Sequence, residues 1–206
     1  MTISIALTKG RVEKQFLQYL QSRGFDVGPL IEKGRKLLVE TDEFTCIFVK
    51  GWDVATYVEY GICDLGIVGE DILAETRPDV FDLMPLPFGK CRFALAGKPE
   101  SIRHNRKRRI ATKYPNVTQR FFREKGESVD IVKLEGSVEL APIVGLADAI
   151  VDIVETGTTL KENGLVVIEE IQLITARLIA NRSALKIKKQ SIQPFIEKLH
   201  GEGVYK

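Results

Sequence analysis

Short apolar runs alternate with amphipathic stretches along the whole chain, and this alternation constrains the fold more than any other feature. Residues 3–7 read as a strand, and the polar turn Thr8-Lys-Gly-Arg11 follows. Val12, Phe16, Leu17 and Leu20 then recur at helical spacing, with Gly24 suited to end the helix in a left-handed conformation. The same reading predicts strands at 37–39 and 46–49, then a helix that Asp53 caps and Gly61 ends, with Tyr57 and Tyr60 as packing residues. A strand at 65–68 leads into Gly69-Glu-Asp71 and a short helix. Residues 83–97 hold strand-like runs and a domain crossing. Near residue 109 the pattern restarts. Strands are predicted at 109–112, 129–134, 149–154, 165–168 and 177–180, and helices at 117–125 and 158–163. A helix start at 138–146 is interrupted near Pro142, and a C-terminal helix runs from Ser183 to Leu199 with a kink at Pro194. The pattern predicts an α/β protein of two lobes with mainly parallel sheets covered on both faces. Ligands in such folds bind where the carboxyl ends of strands meet their loops.

Composition excludes several classes. The chain has 206 residues, and 30 Lys plus Arg against 28 Asp plus Glu leave a net charge of +2. A dedicated nucleic-acid binder shows a large basic excess. The basic run from Arg103 to Arg109 lacks interleaved aromatics and reads as an exposed connection. With 44% hydrophobic and 28% charged residues, disorder is not expected. No apolar run approaches the roughly 18 residues that cross a bilayer, and the N-terminus has the wrong charge order for a secretory signal. A cytoplasmic protein without membrane association is expected. Cys46, Cys63 and Cys91 form no CxxC pair, and Cys46 lies inside an apolar run as a buried thiol. His104 and His200 are poorly placed for metal binding or for a triad, and no protein metal site is predicted.

The most informative segment is Ile150-Val-Asp-Ile-Val-Glu-Thr-Gly-Thr-Thr-Leu160. An apolar run reaches Asp152 and Glu155 and then a glycine- and hydroxyl-bearing turn that opens a short helix. Gly157 allows backbone N–H groups to face inward, and Thr156, Thr158 and Thr159 add hydroxyl donors. Such a turn cradles a phosphate dianion, while the adjacent carboxylates accept hydrogen bonds from ribose hydroxyls. An ordinary capped strand-to-helix turn uses the same residue types. Lys9, Gly10 and Arg11 after the first strand suit a pyrophosphate, Arg as a fork and Lys as a point charge. A solvated turn is the plainer reading there. Weaker candidates at strand ends are Lys50, Glu70, Asp71, Arg92 and the possible second anion nest Glu135-Gly136-Ser137.

Taken in order, several stretches together resemble the ATP phosphoribosyltransferase family of histidine biosynthesis. They are the opening Ile-Ala-Leu-Thr-Lys-Gly-Arg11, the run from Asp53 to Asp71, Leu134-Glu-Gly-Ser-Val-Glu-Leu-Ala-Pro142, and Gly145 through Gly164. The resemblance implies attack of adenine N1 of ATP on C1 of phosphoribosyl pyrophosphate, with Mg2+ on the substrate phosphates. It implies a type II periplasmic-binding-protein-like fold with an active-site cleft between lobes: 1–89 plus 175–206 as lobe I, and 90–174 as lobe II carrying the phosphoribosyl-binding loop. The length matches the short form, which works in a hetero-oligomer with a regulatory subunit resembling histidyl-tRNA synthetase; the isolated chain is then weakly active or inactive and shows little sensitivity to histidine. On this basis residues 156–159 take the 5-phosphate, Asp152 and Glu155 the ribose, and Lys9, Arg11 and Lys50 the pyrophosphate and triphosphate. Lys50 stands where family members commonly carry Arg, which keeps the charge without the bidentate fork. Two other readings remain open from the residues alone: a non-catalytic two-lobed binding protein, and a purine-salvage type phosphoribosyltransferase.

Overall fold

The apolar runs assemble into two sheets with separate cores. The structure, a computed structural model, describes residues 2–99 and 108–201. In the first sheet, β1 (Ile3–Thr8) lies between β3 (Phe44–Val49) and β4 (Leu65–Gly69), all parallel. β2 (Leu38–Glu40) pairs antiparallel with β3, while β11 (Ala176–Ala180) and β5 (Phe81–Pro85) extend the sheet antiparallel beyond β4. In the second sheet, β7 (Arg108–Thr112) lies between β8 (Val129–Lys133) and β9 (Ala149–Val154), again parallel. β6 (Cys91–Gly97) and β10 (Val166–Ile174) continue it antiparallel.

Both sheets are therefore mixed rather than mainly parallel. Parallel pairing needs a crossover long enough for a helix. The β2–β3 connection is only the tight turn at 41–43, held by Thr41 Oγ1, which accepts from the Phe44 N–H at 3.1 Å and donates to the Phe44 carbonyl at 2.9 Å. The strands flanking the chain crossings, β5, β6, β10 and β11, also pair antiparallel.

Among the described residues the chain divides into two units. Unit 1 holds residues 2–73, 77–89 and 175–201, and unit 2 holds 74–76, 90–99 and 108–174. In unit 1, α1 (Arg11–Ser22) and α9 (Lys189–His200) bury Phe16, Leu20, Phe195 and Leu199 against Ile5, Leu7 and Phe44. α3 (Gly51–Glu59) puts Val54, Ala55 and Val58 with Ala6 and Val68, the residues of alternate parity. Each fully buried Leu or Phe stabilises the fold by roughly 1.5–3 kcal/mol, so this two-sided burial fixes the strand register. In unit 2, Ala94, Ala96, Ala111, Ile150 and Val154 form one core with Leu160 of α7 (Thr158–Glu162).

Several expectations need correction. Lys50, not Asp53, is the N-cap of α3: its backbone is extended, its carbonyl accepts the Asp53 N–H at 2.9 Å, and Asp53 lies in the first turn. Tyr57 and Tyr60 are exposed, because Val54, Ala55 and Val58 already form the buried stripe. α2 (Gly28–Ile31), with Pro29 in its first turn, is not legible in the periodicity. The C-terminal helix breaks at Lys188 between α8 (Ala184–Ile187) and α9, and α9 continues through Pro194. Lys188 turns its ammonium to the buried Asp64 carboxylate at 2.8 Å, and that carboxylate also accepts from Ser4 N at 2.8 Å. α6 (Leu140–Ile143) is a single turn with Pro142 inside it, and β10 runs well past residue 168. His104 and the first part of the basic run lie outside the described residues. Arg108 packs over the Phe122 ring and pairs with Glu127. Cys46 is fully buried, and burial pushes its thiol up to about 12.

Candidate functional site

The loops that follow parallel strands hold almost all of the candidate residues. In unit 2, β9 ends at Val154 and the chain turns through Glu155-Thr156-Gly157 into α7 (Thr158–Glu162). Gly157 has φ +79°, ψ 5°, the left-handed conformation that an L side chain resists. The Thr156 and Thr158 hydroxyls lie 3.0 Å apart, and the Gly157 carbonyl accepts the Lys161 N–H at 3.0 Å. Thr156, Thr158 and Thr159 are exposed at the start of α7. With only five helical residues, α7 contributes little dipole. What the turn offers a ligand is therefore local amides and hydroxyls.

Asp152 is half-buried within β9, opposite Ala94 on β6, and its carboxylate accepts the Ile153 N–H at 2.8 Å. Glu155 is exposed where the strand ends. Arg92 is the second residue of β6, opposite Val154, and its Nη1 donates to the Glu155 carbonyl at 3.4 Å. Thus Arg92 joins the turn, a placement that linear sequence does not show. Glu135, Gly136 and Ser137 follow β8, which places them at the same sheet end. Glu135 is exposed and pairs with Lys133 at 3.0 Å. Ser137 has φ +47°, a non-glycine residue in the left-handed region, at a cost of order 1–3 kcal/mol.

In unit 1, the residues after β1, β3 and β4 share one sheet end. The Lys9 N–H donates to the Val49 carbonyl at 3.2 Å, which brings the start of the Lys9-Gly10-Arg11 turn beside Lys50. A Cβ at Gly51 would come within 3.0 Å of Thr8 Oγ1, so glycine lets α3 start close against the end of β1. Gly10 has φ +102°, again a position for glycine. Lys9, Arg11 and Lys50 are exposed. Glu70 and Asp71 open α4 (Glu70–Thr76). The Glu70 carboxylate accepts the Thr175 N–H at 3.1 Å, tying it to the chain crossing.

Sequence reasoning missed two residues that shape these loops. Glu13 is buried. One of its oxygens accepts the Gly10 N–H at 3.1 Å, and the other lies 2.6 Å from Lys33 Nζ, so it pins the Lys-Gly-Arg turn. Its spacing, three residues after the turn glycine, is the acidic half of a capping box and was the available signal. Gly69 is the second: an added Cβ would meet Asp71 Oδ1 at 2.1 Å, so the Asp71 carboxylate occupies the space that glycine leaves. Among the described residues no group of three or more His, Cys, Asp or Glu is placed to hold a metal ion, and no helix is long and apolar enough to cross a membrane.

Two separately cored α/β units joined by chain crossings define the class of the fold, that of the type II periplasmic binding proteins. The periplasmic aliphatic sulphonate binding protein SsuA of Escherichia coli superposes with a TM-score of 0.64 over 96% of this chain and 71% of its own, at 15% identity, a likeness of fold alone. The particular relationship is closer. The ATP phosphoribosyltransferase family model matches residues 50–201. An ATP phosphoribosyltransferase of Alkaliphilus metalliredigens is 52% identical over 200 residues, 96% of each chain. A chain of the ATP phosphoribosyl transferase (HisG:HisZ) complex from Thermotoga maritima superposes with a TM-score of 0.84 at 39% identity, over 97% of each chain. The chain belongs to the ATP phosphoribosyltransferase family, which makes it a pentosyl-transferring enzyme rather than a binding protein or a purine-salvage enzyme.

Proposed function

We propose that the chain transfers the phosphoribosyl group of phosphoribosyl pyrophosphate to N1 of the adenine of ATP, the first step of histidine biosynthesis. The N1 lone pair forms a bond to C1 of the ribose, the C1–oxygen bond to pyrophosphate breaks, and pyrophosphate leaves with the bonding electrons. The observation that carries this reading is the turn after β9, where Gly157 in the left-handed region is flanked by exposed threonine hydroxyls beside Glu155.

Residues 156–159 hold the 5-phosphate, and Asp152 and Glu155 accept hydrogen bonds from the ribose hydroxyls. Lys9, Arg11 and Lys50 neutralise the pyrophosphate and triphosphate, with Gly10 permitting close backbone approach. Glu70, Asp71, Arg92, Glu135, Gly136 and Ser137 supply further contacts. Unit 2 carries the phosphoribosyl-binding loop in this reading. No strong base is needed, since adenine N1 attacks with its own lone pair. Catalysis then comes from positioning and from stabilising the departing charge.

Enzymes of this family use a metal ion. We assign it to Mg2+ carried on the substrate phosphates, whose oxygens are hard ligands suited to that ion. We further propose that the chain acts in the cytoplasm as the short-form catalytic subunit, in a hetero-oligomer with a regulatory subunit resembling histidyl-tRNA synthetase. Mixing the chain with ATP, phosphoribosyl pyrophosphate and Mg2+, with and without that subunit, tests the reading. Pyrophosphate release that requires ATP and rises when the subunit is added supports it. Release driven by hypoxanthine or guanine instead of ATP contradicts it.

A further inference from the structure

Strand β10 carries two irregularities in nine residues, and one of them changes which face Glu170 occupies. Leu173 pairs with Arg92 and Gln172 with Phe93, but the next pair on β6 is Glu170 with Ala94, so Ile171 is an extra residue. Without it, alternation would put Glu170 on the opposite face from Arg92. With it, Glu170 shares the face of Ala94, and so of Arg92, and its Oε1 lies 2.8 Å from Arg92 Nε. The Nε–H makes no hydrogen bond, so the contact counts as a charge pairing. The other side of the guanidinium meets the Glu155 carbonyl at the mouth of the turn. The Arg92 side chain is 26% exposed and Glu170 is 61% exposed, so the pair is too wet to matter much for stability.

We infer that Glu170 is a positioning residue for the sugar-phosphate site: its carboxylate holds the Arg92 guanidinium beside the Thr156–Thr159 turn, with remaining N–H donors free of the strand ladder to meet the 5-phosphate of phosphoribosyl pyrophosphate. This rests on the assignment of that turn to the 5-phosphate. Guanidinium recognition of a phosphate depends on the planar fork being presented at a set angle, so loss of the anchoring carboxylate weakens binding while the charge remains.

The test uses the chain in complex with its regulatory subunit and steady-state kinetics with both substrates. Glu170→Gln raises KM for phosphoribosyl pyrophosphate roughly twofold to fivefold, the scale of one exposed charge pair. Its kcat, its KM for ATP and its thermal midpoint stay near the parent values, and Glu170→Asp recovers part of the loss. In an Arg92→Ala background, Glu170→Gln adds nothing. An unchanged or lowered KM overturns the inference, the lowered value because the carboxylate would then be competing with the phosphate. So does a Glu170→Gln effect that persists undiminished without Arg92. Gly157→Val separates the two levels. If that variant loses phosphoribosyl pyrophosphate binding while Glu170→Gln has no effect, only the role of Glu170 falls. If it binds normally, the assignment of the turn falls with it.

Discussion

Replacing Gly157 tests the cradle through backbone conformation alone. A side chain there meets no obstacle: the nearest atom to an added Cβ is Val154 Cγ1 at 3.8 Å, an ordinary contact. The cost is therefore conformational. An L residue at φ +79° pays about 1–2 kcal/mol, less for Asn and more for a β-branched side chain. In a chain of this size that lowers the thermal midpoint by about 2–8 °C if the turn keeps its shape. If the turn relaxes instead, stability is recovered and the backbone arrangement proposed to hold the phosphate is lost. Losing one charge-assisted hydrogen bond to the phosphate costs about tenfold or more in affinity. The series Gly157→Asn, Gly157→Ala, Gly157→Val should thus raise KM for phosphoribosyl pyrophosphate in that order, with KM for ATP little changed. Calorimetry on the same variants shows whether strain or relaxation carries the effect. A Val variant matching the parent in both melting and KM would refute the reasoning.

Gly69→Ala should displace the Asp71 carboxylate from the space over Cα and reproduce the kinetic phenotype of Asp71→Asn, with a midpoint shift of only a few degrees; wild-type kinetics would remove Asp71 from the site. Glu13→Ala leaves the Gly10 N–H and the half-buried Lys33 ammonium without their carboxylate, at a cost of about 1–3 kcal/mol by denaturant titration, and raises KM for a substrate phosphate through the loosened Lys9–Arg11 turn. Burial pushes the Cys46 and Cys63 thiols from 9.0 up to about 12. The folded state keeps these protons longer than the unfolded chain, so their contribution is full below pH 9 and is lost as pH rises toward 12. Chemical denaturation across that range should show falling stability, less steep in a Cys46→Ala, Cys63→Ala variant, and a thiol reagent at pH 8 should leave both residues unmodified.

The legible parts of the fold were those where a single physical signal dominates. Strands β1, β4 and β9 are short apolar runs buried on both faces, and they lie close to where alternation predicts them. What escaped depends on neighbours distant in sequence. The break falls at Lys188, whose ammonium pairs with Asp64 more than a hundred residues away, while Pro194 was the louder local signal. Asp53 is a good capping residue in isolation, but the end of β3 and the approach of Gly51 to Thr8 start α3 earlier. Tyr57, three residues after Val54, falls at the edge of the buried stripe, and Tyr60 lies just past the end of α3. At the candidate site, Gly157 and the threonines were readable because a turn is local chemistry. Arg92 stood out only weakly, since its place beside the turn comes from antiparallel pairing of β6 with β9. The face of Glu170 follows from an extra residue in β10 that no periodicity reveals.

The most direct measurement is a crystal structure of the chain with phosphoribosyl pyrophosphate and Mg2+. The 5-phosphate is expected on the amides and hydroxyls of residues 156–159, with the ribose hydroxyls toward Asp152 and Glu155. A fully ordered ligand whose 5-phosphate lies on Lys9 and Arg11, with the turn after β9 making no contact, would contradict the account.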